Sequence, residues 1–328
     1  MNKQIQPDSD PRLEAGRQWA LKSLSLTDTS TKAIVADASF RRYFRLQDDN
    51  RSWVLMDAPP AREDLTGFVD VNARLRAAGL HAPEILHRDV AAGYLLLEDL
   101  GDDLYRDLIK PETVDDVWPE LFNAVEVMAT LVDHQGLPDY DAGRLQEELD
   151  LLPDWYLAQH KNRPLNQQEQ EIWRHLCATL IECARQQPIV FVHRDFHSCN
   201  LLKTQSNSPG IIDFQDAVAG PLCYDFISLL WDRYISWPRP QVEHWMEQMR
   251  RRLAPELESE TWVRWCDWLG LQRNIKVVGI FARLFYRDSK LGYLEMIPRF
   301  YDYMLDTLAR YPQFQEFNNI MREPRCVP

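Results

Sequence analysis

Hydrophobic positions in the first hundred residues predict a small β-rich unit with accompanying helices. Apolar residues recur at helical spacing from Leu13 to Leu26, and again at Leu65, Phe68 and Leu75. Between and after these segments, short runs of β-forming residues alternate with polar turns, a pattern typical of an antiparallel meander. The five strands predicted in this way lie at residues 33–35, 43–46, 53–56, 84–87 and 94–97.

From Asp102 onward, longer amphipathic segments predict helices, at residues 114–135, 145–159, 167–186, 241–252 and 258–288. Two apolar runs interrupt them. The first, Ile189–Val192, follows the helix breaker Pro188, and the second covers residues 210–214, so we expect one embedded hairpin. The pattern indicates an α+β protein with a β-rich N-terminal lobe (1–98), a connector (99–102) and a mainly helical C-terminal lobe (103–328).

The charge and cysteine content restrict the classes of function. A formal net charge of -13 over 328 residues opposes a broad nucleic-acid or anionic-membrane surface, which would need clustered basic residues. The six cysteines form neither a CxxC pair nor a zinc-ligand pattern, and the start of the chain has no apolar leader. We therefore expect a cytoplasmic protein with reduced thiols and without a nucleic-acid or membrane partner. We also expect a monomer.

The most specific chemical signal is the run from His193 to Asn200, which fits the pattern H-R-D-x-x-x-x-N directly after an apolar strand. This pattern is typical of loops that catalyse phosphoryl transfer. Asp195 can orient an attacking hydroxyl and accept its proton, while Asn200 can reach a magnesium ion on the phosphates. The spacing therefore predicts a kinase, with Asp195 as the catalytic residue.

Asp213 provides the second signal, because it ends the apolar strand that follows the loop and precedes Phe214. A carboxylate there supplies the hard oxygen ligand that Mg²⁺ prefers. Asp225 opens an apolar helix, and we expect its carboxylate to hold the backbone of the catalytic loop. His193 is interpreted as a packed support residue rather than an acid or base.

The segments VHRDFHSCNLL and GIIDFQDAVAGPLCYDFISLL resemble the phosphotransferase family that contains aminoglycoside and choline kinases, whose loop usually reads H-x-D-x-H-x-x-N. The resemblance implies a bilobal protein-kinase-like fold, with a small antiparallel-sheet N-lobe and a large helical C-lobe. It also implies that ATP is the phosphoryl donor, that Mg²⁺ is the cofactor, and that Asn200 and Asp213 are the magnesium ligands.

Segments outside the loop resemble a narrower group. They are similar to the bacterial anomeric sugar kinases of cell-wall recycling, which phosphorylate N-acetylmuramate and N-acetylglucosamine at the 1-hydroxyl. The similar segments are ADASFRRYFRL, WVLMDAPP, YLLLEDLGDDL and NIKVVGIFARLFYRDSKLGYLEMIPR. The resemblance implies an amino-sugar kinase of peptidoglycan recycling.

The same resemblance implies that the backbone from Glu98 to Leu100 meets the adenine ring. The turn that would cover the phosphates lacks glycine, although Ser39 and nearby amides could cradle phosphate. Met56 stands where the family's third strand normally offers a phosphate-binding lysine. A cation is then expected from the neighbouring strand, from Arg41, Arg42 or Arg45.

The acceptor should approach Asp195 from the helical lobe, because in-line transfer requires it on the side of the catalytic loop. Asp232, Arg233 and Arg283 are the candidate substrate-binding residues, and their alternative interpretation is ordinary helix-surface polarity or packing. Arg283 could grip the carboxylate of N-acetylmuramate in bidentate fashion.

Three functions remain open from the sequence: an anomeric amino-sugar kinase, an aminoglycoside- or choline-type kinase, and a catalytically silent kinase-like binding module. The missing lysine is the argument for the silent module. Against it stands the combination of Asp195, Asn200 and Asp213, since a binding module needs neither a base nor a magnesium set. The first function is the favoured one.

Overall fold

The computed structural model describes residues 10–34 and 40–322, and the chain divides into two compact units. The first unit comprises Met1–Leu104 and Leu201–Asp216, and the second comprises Tyr105–Asn200 and Ala217–Pro328. This division differs from the predicted lobes, which placed residues 201–216 in the C-terminal lobe. The reason is local pairing: Gly210 bridges to His81, and Leu202 bridges to Leu104.

The first unit is built around an antiparallel sheet of five strands, the number that the sequence predicts. Across the sheet, the fifth strand of the chain lies between the third and the fourth. Its strands are β1 (Ser30–Ile34), β2 (Arg42–Gln47), β3 (Ser52–Asp57), β4 (Ile85–Asp89) and β5 (Tyr94–Glu98).

The two faces of this sheet differ because side chains alternate along each strand. One face packs against helix α1 (Pro11–Leu24), which begins where Asp10 accepts the backbone N–H groups of its first turn. The buried residues shared by this face and α1 are Leu13, Ala20, Phe44, Leu46, Trp53, Leu55, Tyr94 and Leu96. Strand alternation places Tyr43, Arg45 and Met56 on the opposite face.

A short hairpin completes the first unit. Its strands are β7 (Leu201–Leu202) and β8 (Gly210–Ile211). Phe214, just after β8, is buried against Phe68 of helix α2 (Thr66–Ala77), with ring centroids 4.8 Å apart. This contact fixes the chain on either side of Asp213 within the first unit.

The second unit is mainly helical. Its helices are α3 (Tyr105–Leu108), α4 (Val114–Thr130), α5 (Ala142–Leu151), α6 (Gln167–Arg185), α7 (Tyr224–Leu230), α8 (Arg239–Leu253), α9 (Ser259–Tyr286), α10 (Ile297–Arg310) and α11 (Gln315–Arg322). The helix predicted at residues 145–159 is in fact α5 followed by a π-helical segment, Leu152–His160. Pro153 lies at this change of register, because proline cannot donate a backbone hydrogen bond.

Helix α9 runs through the core of the second unit. Its residues Leu271, Ile275 and Val278 are fully buried. At Gly279, an added Cβ would lie 2.4 Å from the carbonyl carbon of Leu151, so this glycine lets α9 approach the end of α5. Among residues 10–34 and 40–322, no helix is both long and apolar enough to cross a membrane.

A separate strand pair supports the catalytic loop. Strand β6 (Ile189–Val192) pairs antiparallel with β9 (Val218–Pro221), and not with the run at 210–214 as the predicted hairpin required. The register aligns Val192 with Val218. The loop after β6 therefore lies beside the chain that leads into α7.

Candidate active site

The catalytic loop is held at its start by Asp225, on the first turn of α7. The buried Asp225 carboxylate accepts hydrogen bonds from the backbone N–H of His193 (2.7 Å) and of Arg194 (3.1 Å). Arg194 has a φ of 74°, which a non-glycine residue adopts at a strain cost. Asp225 thus has the supporting contact that the sequence suggested.

Asp195 lies next in the loop and is partly exposed. Its backbone oxygen accepts a hydrogen bond from Nδ2 of Asn200 (2.9 Å). The loop closes with a 3₁₀ turn, Ser198–Asn200. A direct hydrogen bond therefore joins Asp195 and Asn200, and it orients the Asn200 side-chain amide.

Two histidines flank Asp195. Nδ1 of His193 accepts the backbone N–H of Asp195 (3.3 Å), and Nδ1 of His197 accepts that of Cys199 (3.4 Å). These hydrogen bonds assign the proton of each neutral ring to Nε2. Burial and the charge of Arg233 lower the pKa of His197 to about 4. Both rings therefore use the lone pair of Nδ1 within the loop.

Behind the loop lies a buried polar cluster centred on Glu148 of α5, which the sequence analysis missed. Its carboxylate accepts hydrogen bonds from Nη2 of Arg194 (2.8 Å), Nζ of Lys276 (3.0 Å) and Nε2 of Gln272 (3.2 Å), and from the hydroxyl of Tyr140. The signal available in the sequence was a lysine inside the apolar run NIKVVGIF, which predicts a buried charge that needs a partner.

This cluster contains two cations and one carboxylate, so it leaves an excess positive charge beside Asp195. Burial acts to raise the pKa of Asp195, but charge interactions, of which that with Lys276 is the largest, hold it below its ordinary value. Asp195 is therefore ionised at neutral pH, as a proton acceptor must be.

Asp213 belongs to the first unit, where it is exposed and has a φ of 63°. Its Oδ1 accepts a hydrogen bond from Nε2 of Gln215 (2.9 Å). A strained backbone at an exposed carboxylate is common at functional sites, where the neighbouring packing maintains it. Here the buried Phe214 supplies that packing.

The residues suggested for magnesium fit that ion chemically. An Asn amide oxygen and an Asp carboxylate are hard ligands, and Mg²⁺ usually takes one or two such protein groups plus phosphate oxygens and water. Within the described part of the chain, no group of three or more His, Cys, Asp or Glu side chains could hold a metal by itself.

The three arginines suggested as a substitute cation have different environments. Arg45 is bound by Asp99 (2.6 Å) and Asp102 (2.7 Å), next to the predicted connector. Arg42 turns to the α1 face, where it pairs with Asp57 and Asp10.

Arg41 pairs with Glu63 at 3.0 Å, and it lies within electrostatic range of Tyr43 and Asp216. The charge of Asp213 in turn contributes to the raised pKa of Tyr43. Of the three arginines, Arg41 is therefore the one whose surroundings include the chain around Asp213.

The remaining nucleotide candidates are placed as follows. Glu98 contacts Nε2 of His81 (3.0 Å) and accepts the backbone N–H of Glu84 (3.0 Å), so its side chain is engaged within the sheet. The Leu100 side chain packs against Gly210, where an added Cβ would lie 2.9 Å from it. Ser39 lies outside the described residues.

Among the substrate candidates, Asp232 is buried, and its carboxylate accepts the backbone N–H of Ser198 (3.1 Å) and of Tyr234 (2.8 Å). It therefore supports the loop. Arg233 is partly exposed, and its guanidinium lies 5.7 Å from the ring centroid of Phe281.

Arg283 lies further along α9 and is partly buried. Its buried Nε has no hydrogen-bond partner in the described structure. Burial and nearby Arg287 lower its pKa. An arginine in this state would gain from binding an anion.

A five-stranded sheet unit, a helical unit carrying an H-R-D-x-x-x-x-N loop, and an aspartate after the following strand pair together define a kinase-type phosphotransferase. The chain belongs to the phosphotransferase enzyme family, whose profile matches residues 30–266. The kinase-like fold and the phosphotransferase class predicted from the sequence are thereby confirmed.

Two relatives are named N-acetylmuramate/N-acetylglucosamine kinase. The protein from Pseudomonas aeruginosa is 42% identical over 292 residues, covering 87% of this chain and 86% of its own. The protein from Pseudomonas putida is 36% identical and covers 97% of this chain and 98% of its own. Among solved structures, a Plasmodium vivax ethanolamine kinase has a TM-score of 0.64 at 10% identity, covering 96% and 93% of the two chains, and it supports the fold alone.

Proposed function

We propose that this protein is an ATP-dependent kinase that phosphorylates the anomeric 1-hydroxyl of N-acetylmuramate and N-acetylglucosamine. The observation that carries the proposal is the similarity to amino-sugar kinases along nearly the whole chain, at 36% identity over 97% of it. Similarity that extends beyond the catalytic loop favours a shared acceptor as well as shared phosphoryl chemistry.

In this reaction Asp195 orients the acceptor hydroxyl and takes its proton as the oxygen attacks the γ-phosphorus. An anomeric hydroxyl is more acidic than an ordinary alcohol, so a carboxylate held in its ionised form is a sufficient base. Glu148 and Lys276 keep the loop in place through Arg194, and the excess positive charge of their cluster favours the ionised Asp195.

Asn200 and Asp213 are the proposed ligands of Mg²⁺, which when bound would neutralise charge on the transferring phosphate. The backbone from Glu98 to Leu100 is the proposed adenine contact. For the cation that replaces lysine at Met56, Arg41 is the best supported of the three arginines, since Arg42 and Arg45 are each bound by two aspartates.

The proposed setting is the cytoplasm, in the recycling of peptidoglycan amino sugars. ATP is supplied there, and the five described cysteines, Cys177, Cys183, Cys199, Cys223 and Cys266, are all free thiols.

The direct test incubates the protein with Mg-ATP and a panel of N-acetylmuramate, N-acetylglucosamine, an aminoglycoside and choline, followed by phosphorus NMR. We expect a glycosyl phosphate whose phosphorus couples to the anomeric proton and whose phosphate is released by mild acid. Coupling to the C6 protons would refute the regiochemistry. Reaction with only the aminoglycoside or choline would refute the acceptor and leave the kinase class standing.

A further inference from the structure

Two arginines lie over one aromatic pair in the second unit. The guanidinium of Arg233 is 5.7 Å from the ring centroid of Phe281, and that of Arg273 is 5.9 Å from the ring centroid of Phe300. The two rings contact each other edge to face at 5.6 Å. The guanidinium groups of Arg233 and Arg273 therefore lie against two aromatic rings that contact each other.

Arg299, beside Phe300 on α10, completes what we call the arginine cluster, because its charge and that of Arg273 both act on the hydroxyl of Tyr303. It lies one helical turn before Tyr303, whose hydroxyl donates to the backbone oxygens of Asp232 (3.3 Å) and Ile235 (3.0 Å). Its buried Nη1 has no hydrogen-bond partner in the described structure. A buried donor left unpaired is costly, and a ligand acceptor would remove that cost.

Among residues 10–34 and 40–322, no salt bridge joins Arg233, Arg273 or Arg299 to an acidic side chain. Arg273 donates to the backbone oxygen of Trp231 (3.1 Å), a neutral acceptor, and its charge acts to lower the pKa of the buried Asp225 against the larger effect of burial. Asp232 is the nearest acid along the chain; its two oxygens accept backbone N–H groups from Ser198 and Tyr234, and it makes no salt bridge with the described arginines. A local positive excess in a protein of net charge -13 is a feature that selects anions.

The arginine cluster adjoins the catalytic loop. Ser198, three residues after Asp195, is tied to Asp232 by a 3.1 Å hydrogen bond. After burial, the charge of Arg233 is the largest influence that lowers the pKa of His197. The positive field of Arg233 therefore reaches the part of the loop where an acceptor must bind.

We propose that Arg233, assisted by Arg273 and Arg299, binds an anionic group of the acceptor, and that this group is the carboxylate of N-acetylmuramate. The inference rests on the proposed function and deepens it, because N-acetylglucosamine has no carboxylate. The arginine cluster would then set the preference between the two sugars. A nucleotide phosphate is the other anion that could occupy it, and the experiment distinguishes the two.

The test compares the steady-state kinetics of the full-length protein and its Arg233→Met variant. The acceptors are N-acetylmuramate, its neutral methyl ester and N-acetylglucosamine. We expect KM for N-acetylmuramate to rise about 10-fold or more, the scale of a lost charged hydrogen bond. KM for the ester and for N-acetylglucosamine should stay unchanged, and Arg233→Lys should recover part of the loss.

Arg264→Met is the matched control, because Arg264 also stacks on an aromatic ring, that of Trp268 at 6.0 Å, in the same unit. This variant should keep the preference of the parent protein. Arg299→Met provides a second variant of the arginine cluster, should Arg233→Met fail to fold. Arg283→Met tests the competing assignment of the carboxylate to Arg283.

Equal increases in KM for both sugars would overturn the inference. An increase in KM for ATP would also overturn it and would point to a nucleotide phosphate. A selective loss in Arg283→Met, with Arg233→Met unaffected, would also overturn it. If the unmodified protein phosphorylates neither sugar, the proposed function itself fails. That outcome differs from the case in which both sugars react and no variant separates them.

Discussion

The position of Asp195 is set by contacts made through its backbone. Its N–H donates to Nδ1 of His193, and its carbonyl accepts from Asn200. The carboxylate of Asp195 takes part in neither of these two hydrogen bonds. Chemistry and positioning are therefore separable at this residue, which makes it suitable for a substitution that changes only the side-chain charge.

We expect Asp195→Asn to lower kcat by about 10²-fold or more, because the amide keeps the shape but cannot take the acceptor proton. The free energy of unfolding and the Kd for Mg-ATP should remain close to those of the parent protein. Turnover close to the parent value in a folded variant would remove Asp195 from the role of base.

At the scale of elements, strand β2 directs neighbouring arginines to different faces of the sheet. Arg42 and Phe44 lie on the face that packs against α1, whereas Tyr43 and Arg45 lie on the other. Arg41 precedes the strand and shares the parity of Tyr43 and Arg45. Strand alternation thus separates a structural arginine from a candidate for phosphate binding.

Arg41→Met is expected to raise KM for ATP by about 10-fold, since it removes a charge-assisted contact to phosphate. Arg42→Met serves as the matched control from the adjacent position. It should reduce the free energy of unfolding, because the buried Asp57 loses one of its two arginine partners and keeps only Arg12, while KM for ATP stays unchanged. If initial-rate kinetics instead showed a higher KM for ATP in Arg42→Met and an unchanged KM in Arg41→Met, the phosphate contact would not belong to Arg41.

Helices α5 and α9 meet at Glu148, and this contact joins the core of the second unit to the catalytic loop. Burial acts to raise the pKa of Glu148, but Lys276 and Arg194 hold it below its ordinary value of 4.5. A carboxyl whose pKa is lower in the folded state stabilises the fold above its unfolded-state pKa. That contribution is lost as the pH falls below it.

We therefore expect the difference in free energy of unfolding between the parent protein and Glu148→Gln to be largest near neutral pH. It should shrink as the pH falls below about 4.5. Urea titrations at a series of pH values measure this difference. A difference that does not change with pH would show that Glu148 acts through packing and not through its charge.

At the scale of the whole molecule, ligand binding is coupled to stability, because a ligand that binds only the folded chain shifts the unfolding equilibrium. Asn200 and Asp213 are the proposed magnesium ligands. The response of the unfolding temperature to Mg-ATP therefore reports on the nucleotide site without requiring turnover.

Mg-ATP at 100 times its Kd should stabilise the parent protein by about 2.7 kcal/mol, seen as a higher Tm. In Asp213→Ala this increase should be much reduced, because a metal ligand is lost. Nucleotide with EDTA serves as the control and should give similar small shifts in both proteins. An unchanged Mg-ATP response in the variant would remove Asp213 from the magnesium site.

The sequence by itself determined the fold class and the order along the chain of the residues proposed for chemistry. Five short β-rich runs, the spacing from His193 to Asn200 and the position of Asp213 depend only on local pattern, and local pattern is read directly from adjacent residues. For the same reason the backbone role of Asp225 could be expected from its place at the start of α7.

Only the tertiary structure decided which distant residues share an environment. In the structure, residues 201–216 belong to the first unit and β6 pairs with β9. Glu148 contacts Lys276, which is 128 residues away in the chain, and hydrophobic periodicity gives no information on contacts at that separation. The tertiary structure likewise gathered Arg233 and Arg273 on the rings of Phe281 and Phe300. Hydrophobic pattern specifies which side of a helix is buried, but the partner of a buried charge is chosen by packing between elements.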